Sequence, residues 1–286
     1  KNKEKKKYLK KAKSKLEKRF QGSSEDIPYM TSSGFSSKYF KKKLFNNKSK
    51  KLKILILPHS FIDAPHISGD FSFADMKDWV KFLAEKSKKN KYEWYLKPHP
   101  KMDSKWSWYQ EMTNNTIKDL ISGSNIKMLH PNTTHNQLIK NGIDIILTVY
   151  GSAAHEYAYK NIVVINASNK NPHSAYKFNL HCNNIKYYNK IIESLDKIKI
   201  EIDTKKVLEF YFMHYLYPSK NWFFLNYNKM LKNVGGYHNQ FTINIYQYWI
   251  KNHDINFKNR FYDRFNSFIN SRDYIFSINH HEINEI

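Results

Sequence analysis

The feature that most constrains this chain is a change of rhythm at Lys51, where short apolar runs begin to alternate with longer segments of helical period. Leu52–Leu57 reads as a strand, Phe73–Lys88 as a helix, Tyr92–Leu96 as a strand and Trp106–Ile121 as a helix. Three more strands follow at Ile126–Leu129, Ile143–Val149 and Ile162–Ile165, separated by helices over Thr134–Lys140 and Ser152–Tyr159. Strands that alternate with helices at this spacing predict parallel βαβ units with right-handed crossovers. The expected fold over residues 51–200 is therefore α/β, a Rossmann-like doubly wound parallel sheet.

The flanks differ. Residues 1–50 read as a basic helix and a linker. Tyr8, Ala12, Leu16 and Phe20 recur every fourth residue on one face, and lysine fills most of the rest. Such a helix suits a membrane surface or a neighbouring lobe; its narrow stripe, which includes an alanine, favours the lobe. Gly22-Ser23-Ser24 and Ser32-Ser33-Gly34 break the segment that follows. Residues 201–286 read as a helical, aromatic-rich C-terminal segment, divided by Gly235-Gly236.

A formal charge of +23 calls for an anionic partner: nucleic acid, lipid headgroups or an anionic substrate. Joint enrichment in Lys, Asn, Ile and Tyr also fits the codon bias of an AT-rich genome. Lysine far outnumbers arginine, which argues against a nucleic-acid partner read by sequence, because bidentate base contacts favour arginine. The single cysteine, Cys182, excludes an intrachain disulfide and a cysteine zinc cluster, and fits a reducing compartment. No apolar run is long enough to span a bilayer, and residues 1–20 lack the apolar stretch of a signal peptide. The expected location is cytoplasmic, with a peripheral contact at the inner face of the cytoplasmic membrane as a further expectation. Lys1, in place of an initiator methionine, points to a fragment of a longer chain.

Open parallel sheets bind ligands at the carboxyl ends of their strands, and polar residues gather there in this sequence. His59, Asp63 and His66 follow the first strand, and Lys97-Pro98-His99-Pro100 follows the second. Gly151-Ser152 follows the fourth and opens a helix carrying His155 and Glu156; Asn171, His173 and Tyr176 follow the fifth. Singly, each has an ordinary structural explanation: a hydrogen-bonded histidine, a helix cap or a rigid proline turn. Four strand ends converging on one edge favour a site. A phosphate-bearing donor fits it. Gly151 and Ser152 offer a helix start to an anion, Lys97 adds a charge, and His173 is a further donor-side candidate. Glu156 is placed to hold a ribose or sugar hydroxyl. His99, set by its prolines, can protonate a departing phosphate, and Asp63 can deprotonate an acceptor hydroxyl, with His59 as the other catalytic candidate. No Asp-x-Asp occurs and the acids and histidines lack ligand spacing, so neither a metal nor a cofactor is expected.

These blocks resemble a known group. His59-Ser60-Phe61-Ile62-Asp63-Ala64-Pro65-His66, then Gly69-Asp70, Phe73 and Asp78-Trp79, is similar to a segment of capsular-polysaccharide biosynthesis glycosyltransferases. Lys97–Pro100 matches their K-x-H-P element, and Thr148–Ala158 their T-V-x-G-[ST]-x-x-x-E-x-A element. The likeness covers about residues 52–180. The group includes the Kdo transferases of capsule assembly and is related, more distantly, to polyglycerolphosphate polymerases and bacterial sialyltransferases. It implies a GT-B fold, an inverting metal-independent reaction, a nucleotide-sugar donor such as CMP-Kdo, and a polysaccharide or lipid-linked glycan acceptor. A GT-B enzyme has two lobes, yet about fifty residues precede the first strand here. An absent lobe, a reduced one, or residues 200–286 in its place all stay open. Two rivals remain: transfer of a polyol phosphate from a CDP-activated donor, as in teichoic-acid synthesis, and a non-catalytic lobe that binds an anionic polymer or membrane.

Overall fold

The computed structural model describes residues 2–24, 33–36, 44–45, 49–59, 61, 72–99, 107–217, 227–239, 241–252 and 255–271. By their contacts the residues form two compact units, one of residues 1–23 and 32–210, the other of residues 24–31 and 211–286.

The first unit is built on a parallel sheet. Its strands are β1 (Lys53–Ile56), β2 (Glu93–Leu96), β3 (Ile126–Met128), β4 (Ile145–Thr148), β5 (Val163–Asn166) and β6 (Leu180–His181). They lie in the order β3-β2-β1-β4-β5-β6, every neighbouring pair parallel. In register, Ile54 of β1 faces Trp94 on one side and Ile145 on the other. This is the doubly wound order, and the chain reverses its direction of travel across the sheet between β1 and β4. The unbroken burial of Ile145, Ile146, Leu147 and Thr148 marks β4 as a strand covered on both faces.

Alternation along each strand divides the core into two layers. On one face Ile54, Ile56, Trp94, Leu96 and Leu147 pack with α2 (Met76–Lys89), α3 (Ser107–Ile121) and α6 (Ile185–Glu193). On the other, Leu55, Tyr95, Ile146 and Val164 pack with α4 (His135–Lys140) and α5 (Ala153–Tyr159). Each fully buried large aliphatic side chain contributes about 1.5–3 kcal/mol. Side-chain caps fix where helices begin: Asp75 accepts from the Asp78 N–H at 2.8 Å, and Thr134 from the Gln137 N–H at 3.1 Å. Trp79 of α2 is fully buried and donates its indole N–H to the Tyr188 hydroxyl of α6 at 2.9 Å.

The basic helix α1 (Asn2–Phe20) belongs to this unit. Ala12, Leu16 and Phe20 of its stripe are buried, and Phe20 stacks on Tyr159 with ring centroids 5.7 Å apart. The sixth strand is an addition to the five expected from sequence. Its two residues are too few to carry a period, and pairing with Ile165 and Asn166 defines it. The unit closes with α7 (Thr204–Tyr211), which runs to the boundary with the second.

The second unit is helical. A π-helical turn, Phe212–Leu216, is followed by α8 (Tyr227–Asn233), α9 (Ile243–Asn252) and α10 (Ile255–Asn270). Gly235 and Gly236 have φ of +82° and +112°, backbone that side-chain-bearing residues rarely adopt, and they end α8. Among the described residues no helix is long and apolar enough to cross a membrane.

Candidate functional site

The reversal between β1 and β4 opens a crevice at the carboxyl edge of the sheet, where ligands of such folds bind. His59, just beyond β1, fills part of it. Its ring stacks on Tyr150 with centroids 4.4 Å apart and planes 15° apart. The same ring explains Gly151: a Cβ there would lie 2.9 Å from His59 Cε1 and 3.0 Å from Nε2. Gly151 is thus the residue that admits the imidazole. Thr148 ties the two strand ends together by donating its hydroxyl to the Leu57 carbonyl at 3.1 Å. Burial, helped by the positive charge of His99, lowers the His59 pKa to about 4. At neutral pH His59 is an uncharged imidazole with no imidazolium proton to give.

Beyond β2 the chain alternates sharply. Lys97 is buried at 2% exposure, Pro98 is buried, and His99 is exposed. The Lys97 ammonium has no carboxylate among the described residues; it donates to the Pro98 carbonyl at 3.4 Å. Burial lowers its pKa to about 8, so it stays largely charged at neutral pH. Its field reaches His135, which is held well below the usual histidine range by burial and then by Lys97, Arg19 and His99. The neutral His135 accepts from the Tyr157 hydroxyl, Nδ1 to oxygen 2.8 Å.

Between these strand ends and α3 lies a shallow pocket lined by His59, His99, Tyr109, Gln110, Thr113, Asn114 and Ile117. Gln110 secures the loop after β2 by donating to the His99 carbonyl at 2.6 Å. Gln110, Thr113, Asn114 and Ile117 recur at helical spacing, so the inward stripe of α3 is polar over its first turns and becomes apolar from Ile117 onward, with Ile121 also in the core. Sequence reasoning missed this stripe. The available signal was a helix whose buried face carries Gln, Thr and Asn where leucine or isoleucine would pack.

Other expected site residues go elsewhere. The Glu156 carboxylate, assigned to a ribose or sugar hydroxyl, forms a buried ion pair with Arg19 of α1, both side chains under 5% exposed. It reaches a ligand only by abandoning that guanidinium. His173, expected near the donor phosphate, is buried against Phe210, with ring centroids 4.4 Å apart. Its Nδ1–H donates to Asn171 Oδ1 at 3.2 Å, so its Nε2 accepts from His155 Nδ1 at 3.3 Å. Both ring nitrogens are engaged within the fold, which leaves neither for a phosphate. Ser152 has helical backbone and makes no side-chain cap hydrogen bond, and the Ala154 N–H bonds to the Gly151 carbonyl at 2.9 Å. Asp63, the expected base, lies outside the described residues, as do His66 and Pro100.

A doubly wound sheet with a neutral histidine, a buried amine and a polar pocket at its carboxyl edge defines a Rossmann-like α/β protein. No family model matches the chain, and no curated protein does. Among solved structures it is similar to UDP-GlcNAc 2-epimerase from Neisseria meningitidis, crystallised with UDP-GlcNAc, at 15% identity and a TM-score of 0.36. The match covers 56% of this chain and 43% of that one, so the chain spans less than half of the structure it matches.

Proposed function

We propose that this chain is the donor-binding part of a glycosyltransferase that moves a sugar from a nucleotide-activated donor to a growing bacterial capsule or surface polysaccharide. The observation that carries the reading is Lys97: a buried ammonium at a strand end, without a carboxylate among the described residues. A charge held out of water is costly unless an anion joins it, and the phosphates of a nucleotide are anions of the right kind. His99 is exposed on the next loop residue but one and can protonate the leaving phosphate. His59, uncharged at neutral pH, cannot act there as an imidazolium acid. The order of strand-end motifs, similar to that of capsule glycosyltransferases, supports the same reading, and Asp63 remains the candidate base for the acceptor.

Thermal melts with CMP, CDP, UDP and GDP test the proposal. A ligand at a hundredfold excess over its Kd stabilises the fold by about 2.7 kcal/mol, so at least one nucleotide should raise Tm. No shift at millimolar concentration with any of them overturns it. CDP alone raising Tm would support the CDP-polyol transfer named above. The formal charge of +23 favours one further reading, a lobe that holds an anionic polymer or membrane. Counterion-driven binding weakens steeply with salt, whereas a specific nucleotide site weakens modestly.

A further inference from the structure

Three buried polar atoms line the same pocket and have no hydrogen-bond partner among the described residues: His59 Nε2, Thr113 Oγ1 and Asn114 Oδ1. Buried polar atoms usually find partners, and one left without carries a desolvation cost. Such atoms occur elsewhere too, as at Trp94 and Asn90. What sets these three apart is that they come from two separate elements and share one concave surface.

Their chemistry narrows the occupant. Thr113 can donate or accept, a neutral imidazole can do either through Nε2 according to its tautomer, and a carboxamide presents an acceptor beside a donor. A hydroxyl, itself donor and acceptor, complements all three. A phosphate is an acceptor alone and seeks fixed cations, yet apart from the exposed His99 the polar lining, Thr113, Asn114, Gln110 and Tyr109, is uncharged. The pocket is also small. Its enclosed volume is about 10 Å³, room for a single hydroxyl-sized group and not for a whole ring.

We propose that this pocket is a subsite for the hydroxyl-bearing edge of an uncharged sugar ring, held by Thr113, Asn114 and His59. It rests on the donor-binding reading above and adds to it where the sugar or ribose rim sits: between the end of β1 and the inner stripe of α3. Tyr109 and Ile117 supply the apolar flank that a ring face packs on, and Lys97 is left to the phosphates.

Two variants and two measurements test it. Thr113→Val keeps the shape and removes the hydroxyl; Asn114→Leu removes the amide. Titrations of each with UDP and with UDP-GlcNAc separate the sources of the hydroxyls. Loss of a neutral hydrogen bond should weaken binding about three- to tenfold. A loss confined to UDP-GlcNAc places the sugar in the pocket, and an equal loss for UDP places the ribose there. Because each substitution removes an unpartnered buried polar group, neither variant should melt below the wild type, which distinguishes lost contacts from lost folding. The second measurement is NMR of the Thr113 methyl and Asn114 side-chain amide during addition of free N-acetylglucosamine, ribose or inorganic phosphate. Shifts with the sugars and none with phosphate are expected. If wild-type protein binds no nucleotide and the sugars still shift these signals, the donor reading falls and the subsite stands. If UDP-GlcNAc binds, both variants bind it as wild type does, and the signals stay fixed, the subsite is wrong and the donor reading survives. Silence in every arm overturns the subsite, and the donor reading falls with it when CMP, CDP and GDP also leave Tm unchanged.

Discussion

Two buried polar systems flank this sheet and differ in how their charged and titratable groups are paired. Around α5 these groups pair with one another: Glu156 with Arg19, Tyr157 with His135, and His155 with His173 and then Asn171. Around the ends of β1 and β2 they do not: among the described residues Lys97 lacks a carboxylate and three pocket-lining atoms lack a hydrogen-bond partner. Polar groups that satisfy each other hold elements in place, whereas groups left with unspent bonding capacity suit something that arrives from outside. The difference separates residues of the same type. Two histidines and a glutamate near one sheet edge look alike in sequence, yet their partners assign them to the frame or to the crevice.

The comparison is most sharply broken at Glu156. Glu156→Gln leaves the Arg19 guanidinium buried without its carboxylate, and removing one partner of such a pair costs about 3–5 kcal/mol. Urea denaturation should show this loss, with nucleotide affinity of the folded fraction little changed. An unchanged midpoint with weakened binding would move Glu156 from the frame to the crevice. On the crevice side His99→Ala should lower turnover about 10²–10⁴-fold and affinity far less, because acid catalysis acts in the transition state. Folded His99→Ala with wild-type turnover removes it from the chemistry. A smaller effect is expected at Gly151. Gly151→Ala puts a methyl about where the His59 ring lies, and overpacking of this kind costs about 1–3 kcal/mol. A crystal structure of the variant should show the imidazole displaced from Tyr150; an unmoved ring and unchanged Tm would mean that His59 does not need the glycine.

The frame was legible from sequence where a period existed to be read. Helices α1 to α5 and strands β1 to β5 follow from hydrophobic periodicity; α6 was not read from the sequence, and β6 could not be, because two residues hold no period. The crevice was legible in part: His59, Lys97 and His99 follow strand ends, and the fold rule for parallel sheets places them on one edge. The pairing of Glu156 could not be read, because its partner lies 137 residues away on α1, a distance that no local pattern spans. The burial of His173 could not be read either, because exposure at a loop is decided by what packs over it, here Phe210. Thr113 and Asn114 were missed for the opposite reason: a polar residue in a helix looks solvated until the helix face is known.

Lys97 tests the central claim most directly. Burial lowers its pKa from 10.5 to about 8, so the amine is charged at pH 7 and largely neutral by about pH 9. A nucleotide's phosphates keep their charge over that interval, with a second pKa near about 6. Binding that uses the ammonium must therefore weaken as pH rises, by about tenfold between about pH 7 and 9. Stability moves the other way. Between about pH 8 and 10.5 the unfolded chain binds more protons at this lysine than the folded one, so this group's contribution to stability rises with pH. The measurement is calorimetric titration of the nucleotide that gives the largest thermal shift, across this range, on wild type and Lys97→Met. Wild-type affinity that falls with pH to meet a weak, flat Lys97→Met line is the predicted result; equal, pH-independent affinities for the two proteins would contradict the account.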